Sequence, residues 1–359
     1  MELNTLLDKY QTLFTGNLAR IKCFTQMILG LIISGNVQQH KCSLGFKGEA
    51  LQESTCRKIR RFLAKFSFGK VEMAKALVSM MGLSGPMGLS LDRTNWKFGI
   101  LDINLLVLAV VVNPQFAFPL FWVALPKAGN SNFKERIDLL QLFIKTFGSK
   151  KILFFTGDRE FIGKKWIDFL MKEKIPFFIR IKENRLINNG ETKKHLTLFF
   201  KHLKIGEKRV LECDLDGYRL YLAGTRSSEG ELVIVMSNQD KREKILSIYK
   251  NRWTIERLFF NCKTNGFNLE DTHLKDLFRI ENLMAVVASA MVLSFLVGEN
   301  QERKRPTPYK KTAKSPAYST FRRGFDFIRQ FLIKSFQAAL NFLSLLLSEN
   351  FRCFSSDYV

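Results

Sequence analysis

From residue 104 to residue 125 the chain is almost continuously apolar, interrupted only by Asn113-Pro114-Gln115. The length of the two halves and their β-branched content favour buried strands over a helix. Residues 88–94, just upstream, read as a further strand and carry Asp92. After the turn, Gly129-Asn130-Ser131-Asn132 supplies a loop and an N-cap for a helix reaching about Phe147. Residues 151–156 and 176–181 read as strands on either side of a helix over residues 160–172. Three strands followed by alternating helix and strand fit an α/β protein: a mixed sheet with helices packed against it.

Around this core the texture changes. Residues 1–85 read as helices. Within them Arg57, Lys58, Arg60 and Arg61 stand beside Ile59, Phe62, Leu63 and Phe66 at helical spacing. One face can pack while the other presents charge, either as solvated surface or as a DNA contact. Residues 82–90, with Pro86 among glycines and serines, read as a linker. Short strands at 209–215, 218–225 and 231–236, separated by turns at Asp216-Gly217 and Ser228-Glu229-Gly230, make a β-rich insertion. Helical periodicity returns over residues 240–298. A polar stretch at 300–324, with Pro306, Pro308 and Pro316, precedes one amphipathic helix over 324–347. The strand order is compatible with a ribonuclease-H-like core, although other α/β folds share it. The expected division is a helical DNA-binding region at 1–85 and a ribonuclease-H-like core at 86–182 and 240–299. A β-rich insertion falls at 183–239, and a basic linker with a carboxy-terminal helix at 300–359.

The formal net charge is +23. Such an excess opposes compaction by self-repulsion and attracts polyanions, nucleic acid first among them. A ribosome-associated protein or a binder of anionic membranes would show the same balance. The six cysteines form no CxxC pair and there are only four histidines, so no zinc site can be drawn. Reduced, cytoplasmic cysteines are the simplest reading. The first residues carry acidic side chains and no apolar core, unlike a signal peptide. The longest apolar run, 284–297, is shorter than the ~20 residues of a membrane helix and reads as a buried helix. No membrane partner is expected. No GxxxxGK[ST] loop is present, so no nucleotide is expected either.

Chemistry is suggested by three acidic residues. Asp92 sits in the first strand of the core, and Asp158 follows the fourth. Singly, each reads as easily as a turn or capping residue. Glu256 lies in the segment from Tyr249 to Lys263, where Tyr249, Arg252, Glu256 and Lys263 fall within roughly a 60° arc at about 100° per residue of helix. Ordinary i,i+4 charge pairing on an exposed helix would produce the same arc. Two strand-end aspartates and a helical glutamate are nonetheless what a two-metal phosphoryl-transfer site requires, because hard Mg²⁺ ions prefer carboxylate oxygens.

At these residues the sequence resembles a known family. Tyr249, Arg252, Glu256 and Lys263 match the Y-x2-R-x3-E-x6-K signature of DDE transposases in the insertion-sequence-four family. The contexts Leu91-Asp92-Arg93-Thr94-Asn95-Trp96 and Asp158-Arg159-Glu160-Phe161-Ile162-Gly163 are similar to that family too, as is a β-rich insertion before the glutamate. The resemblance implies that Asp92, Asp158 and Glu256 are catalytic ligands of two Mg²⁺ ions, with Mn²⁺ as substitute. It implies that Tyr249, Arg252 and Lys263 grip DNA phosphates near the cleaved end. It further implies a homodimer that binds the terminal inverted repeats of an insertion sequence as double-stranded DNA. Cleavage, a hairpin step and strand transfer into target DNA would follow, the cut-and-paste route. One departure stands out. Relatives stack a flipped base on a tryptophan of the insertion, whereas all four tryptophans here lie outside it. Tyr218, Tyr221, Phe199 and Phe200 are the aromatic alternatives, with core packing as the competing role for each. A metal-dependent nuclease without strand joining, or an inactive transposase-derived DNA-binding protein, would share most of these features.

Overall fold

The computed structural model describes residues 4–188, 193–215, 217–310 and 315–348. Asp216, expected in a turn, and Cys353 lie outside the described residues. The apolar run becomes an antiparallel meander of long strands: β1 (Met87–Phe98), β2 (Leu101–Asn113) and β3 (Phe116–Leu125). Every residue of β2 from Ile103 to Val112 is buried, which is why the run reads as continuous rather than alternating. A helix, α6 (Phe133–Phe147), crosses to β4 (Ile152–Gly157), which lies parallel to β1. Asn132 caps α6, and its reciprocal bond with Glu135 completes a capping box. A second helix, α7 (Lys164–Lys172), leads to β5 (Phe177–Ile181), parallel to β4. The order β3-β2-β1-β4-β5, antiparallel through the meander and parallel beyond β1, is a ribonuclease-H-like mixed sheet.

The β-rich segment continues this sheet. It comprises β6 (Leu186–Asn188), β7 (Lys193–His195), a short helix α8 (Leu196–Phe200), β8 (Lys208–Leu215), β9 (Tyr218–Arg226) and β10 (Leu232–Ser237). β10 pairs antiparallel with β5, giving a ten-stranded sheet. The short β6, β7 and α8 escape periodicity, since three to five residues are too few to display a repeat.

The remaining helices cover the sheet. Before the meander come α1 (Asn4–Leu13), α2 (Leu18–Ser34), α3 (Gln39–Cys42), α4 (Gln52–Lys65) and α5 (Lys70–Met80). After the sheet come α9 (Ile245–Tyr249), α10 (Trp253–Lys263), α11 (Leu277–Lys304), α12 (Thr320–Lys334) and α13 (Phe336–Ser348). The helix α11 is long and apolar enough to cross a membrane, yet 89% of its apolar window is buried inside the fold. Phe295 stacks on Phe116 at 3.8 Å between centroids. Two glycines let α12 cross it closely: a Cβ on Gly324 would sit 1.9 Å from the Ser294 carbonyl oxygen, and one on Gly298 2.0 Å from that of Thr320.

Three helical expectations need correction. The helix expected from residue 160 starts at Lys164, because Asp158 to Phe161 form a turn closed by the Phe161 amide on the Asp158 carbonyl. Residues 240–298 are not one helical stretch: α10 ends at Lys263, and an irregular segment with Asn268 in the left-handed region precedes α11. The single helix expected over 324–347 is two, broken at Ser335, whose φ of −148° and ψ of 72° leave the helical region. The polar stretch after residue 300 begins as the last turn of α11, which stops before Pro306.

Candidate active site

The parallel pairing of β1 with β4 brings the two aspartates together. Leu91 is in register with Gly157, so Asp92 and Asp158 each follow a paired residue on adjacent central strands. Both line an open cleft of about 410 Å³, with Asn130, Arg159, Glu160 and Lys182. Asp92 Oδ1 accepts from the Arg93 amide at 2.8 Å, and Oδ2 from Arg252 at 3.4 Å. Burial pushes the Asp92 carboxyl up to about 7, with Glu160 and Asp158 adding to the rise; the Arg93 amide and Arg252 oppose it. Asp158 Oδ1 is buried and has no hydrogen-bond partner. The pair therefore keeps one buried carboxylate oxygen that no protein group satisfies.

Arg252 is the cation in this centre. It is 6% exposed, contacts Asp92, and donates to Glu256 Oε1 at 2.5 Å. Burial opposes its charge, but Tyr249, Asp158 and Glu256 outweigh that and raise its pKa. Its Nε is buried without a partner.

The residues that follow the aspartates are clamped to each other. Arg93 donates through Nε and Nη2 to both oxygens of Glu160 at 2.8 Å, and also to Asn104 and Asn130. Two parallel charge-assisted bonds fix the spacing between strand β1 and the turn after β4 more tightly than one would. Side chains here are only 14% and 18% exposed, so water replaces a lost partner poorly. Glu160→Ala is expected to lower unfolding free energy by roughly 2 kcal/mol in urea titration. The Arg93→Ala/Glu160→Ala double variant should lose less than the sum of the singles. Additive losses would mean that the two are not coupled.

The four signature residues are spread over α9, α10 and the turn that joins them. A 3-10 turn, Lys250–Arg252, joins α9 to α10, and its tighter winding alters the angular offsets. Tyr249 is 5% exposed, with a buried hydroxyl that has no partner, and burial pushes its pKa up. Glu256 has a side chain 53% exposed. Lys263 turns toward the end of β1, bonding the Asn95 carbonyl at 3.1 Å and Glu270 at 2.6 Å. Among the described residues no three acidic, histidine or cysteine side chains stand close enough together to hold a metal ion. Asp92 and Asp158 meet; Glu256 is held one residue away, at Arg252.

Arg57, Lys58, Arg60 and Arg61 are all exposed on α4 and line no part of the cleft with the aspartates. Of the insertion aromatics, Phe200 is fully buried, while Phe199, Tyr218 and Tyr221 are half-buried. Sequence reading missed Arg93, Glu160, Asn104 and Asn130. The adjacency of Arg93 and Glu160 to the two aspartates was the available signal.

A ribonuclease-H-like sheet with two carboxylates meeting on its central parallel strands defines a class of nucleic-acid-processing proteins. The chain belongs to the transposase DDE domain family, which matches residues 84–293, and it is accordingly a DNA transposase. No curated protein matches it. Among solved structures, the cryo-EM structure of a piggyBac transposase synaptic complex with hairpin DNA is similar at 10% identity and a TM-score of 0.49, covering 95% of this chain and 78% of that one. So distant a likeness adds nothing to the assignment, which rests on the family match and the strand order.

Proposed function

We propose that this transposase belongs to the insertion-sequence-four type and performs cut-and-paste transposition as a homodimer on terminal inverted repeats, in the bacterial cytoplasm. The observation that carries the reading is the meeting of Asp92 and Asp158 in an open polar cleft, one oxygen of Asp158 buried and unpartnered. Carboxylate oxygens so placed suit hard divalent cations. Asp92, Asp158 and Glu256 would hold two Mg²⁺ ions, with Mn²⁺ as substitute, Glu256 leaving Arg252 to do so. Bound there, such ions supply activation of the attacking oxygen and stabilisation of the leaving one. Arg252 then offers its guanidinium to a phosphate beside the scissile bond, where planar bidentate donation fixes orientation. Tyr249 and Lys263 are assigned to the same phosphates, and Arg57, Lys58, Arg60 and Arg61 to the backbone of the bound end.

The test uses linear DNA carrying the inverted repeats that flank the gene, with a supercoiled plasmid as target. With Mg²⁺, the protein should cut at the repeat tips and join precut ends to the plasmid. Cutting without joining would replace this reading with a nuclease, and binding without either reaction with an inactive DNA-binding relative.

A further inference from the structure

The amino-terminal helices meet the core in a notch of about 430 Å³, between α3–α4 and the segment entering α11. Arg60 of α4 and Arg279 of α11 line it, with His40, His273, Gln38 and Cys56; no carboxylate does. Among the described residues neither guanidinium has an ion pair or a side-chain hydrogen bond. The acidic residues nearest in sequence are committed elsewhere. Glu270 pairs with Lys263, Asp271 accepts from the Asn36 amide, and Asp276 caps α11 through the Arg279 backbone amide. His273 is held on the Phe98 ring, with centroids 5.2 Å apart.

Two guanidiniums facing one cavity repel each other, and half-burial of Arg279 weakens the screening that water would supply. An anion between them offsets both costs. Arginine pairs with phosphate through two parallel bonds, and Arg60 itself is exposed to an approaching strand. We propose that this notch is a binding site for a DNA backbone phosphodiester, gripped by Arg60 from the helical region and Arg279 from the core. Both parts of the chain then hold the same strand. The inference rests on DNA binding alone and not on the roles of Asp92, Asp158 and Glu256.

The experiment uses the full chain in EDTA, so that cleavage chemistry is silent, with two short duplexes: one of arbitrary sequence, one carrying the flanking inverted repeat. Arg60→Ala and Arg279→Ala should each weaken binding about tenfold and reduce the salt slope by about one contact. Arg279→Lys, which keeps the charge, should restore the slope. Cys56, half-buried in the notch, should alkylate several-fold more slowly when DNA is bound, as read on its own peptide. An effect on the repeat duplex alone assigns the site to the element's end; an effect on both assigns it to backbone contacts shared with target DNA. Unchanged salt slopes in both alanine variants with unprotected Cys56 would overturn the proposal, even if the carboxylate variants abolish cleavage.

Discussion

Asp158→Asn is expected to cut Mg²⁺-dependent cleavage of a repeat end by about 10³-fold or more, while leaving end binding within a fewfold of wild type. An amide keeps the size of the side chain but removes the charge that a divalent cation needs. The lost contribution is several kcal/mol of transition-state stabilisation. Asp92→Asn and Glu256→Gln should match it if the three hold the ions as one unit, as proposed, because such losses are not additive. Ca²⁺ should support binding but little cutting, because its looser coordination suits in-line displacement poorly. Gel assays of cleavage and binding on the same substrate read both outcomes. Wild-type cutting by Glu256→Gln would remove Glu256 from the site, which its present contact with Arg252 makes the sharpest of the three tests.

Asp92→Asn is also expected to raise the melting temperature of the metal-free protein by several degrees at pH 8, and by little near pH 4. The carboxyl is pushed from 3.8 to about 7 by burial above all. A raised folded-state pKa means that the protonated form is the one the fold favours. The associated stability is fully present below about 3.8 and is lost as pH rises through 7. Above that, charging the buried group costs a few kcal/mol, at ~1.4 kcal/mol per pKa unit. Asparagine removes that cost. Mg²⁺ should raise the melting temperature of wild type at pH 8 and act less on Asp92→Asn, because the variant offers the ion one carboxylate fewer. Scanning calorimetry across pH, with and without Mg²⁺, measures this. A variant no more stable than wild type at pH 8 would show that the contacts of Asp92 with Arg252 and the Arg93 amide offset the cost of burying its charge.

Much of the architecture was legible because it is local. Strand-length apolar runs with a proline-containing turn between them can bury themselves only as adjacent strands, and β2 and β3 formed there. Asn132 ahead of Glu135 marks a helix start within four residues, and α6 begins beside it. The apolar run at 284–297 reads as a buried helix, and α11 buries it. Asp158 was visible as a strand-end carboxylate, whereas Asp92 stands in the middle of β1, paired with Val107, and marks only the end of the pairing with β4.

Other features depend on residues far apart in the chain. Which strands pair is decided by sheet closure, so β10 joining β5 and extending the core to ten strands is no property of either segment. The clamp of Arg93 on Glu160 spans 67 positions, and no periodicity connects them. An amphipathic pattern over 324–347 cannot show a break at Ser335, because the two helices keep apolar faces on either side of it. Ideal spacing put Tyr249, Arg252, Glu256 and Lys263 on one face. Their partners are a matter of packing: Tyr249 and Arg252 are buried, Glu256 meets Arg252, and Lys263 finds Glu270. By itself, then, the sequence determined the core strands, the first helix after them and the identity of the acidic residues, since these follow from short-range sterics and hydrophobic pattern. Only the tertiary structure decided that two aspartates share a cleft, that Arg252 lies against Asp92 and that Arg60 and Arg279 line one notch, because such encounters arise from long-range packing.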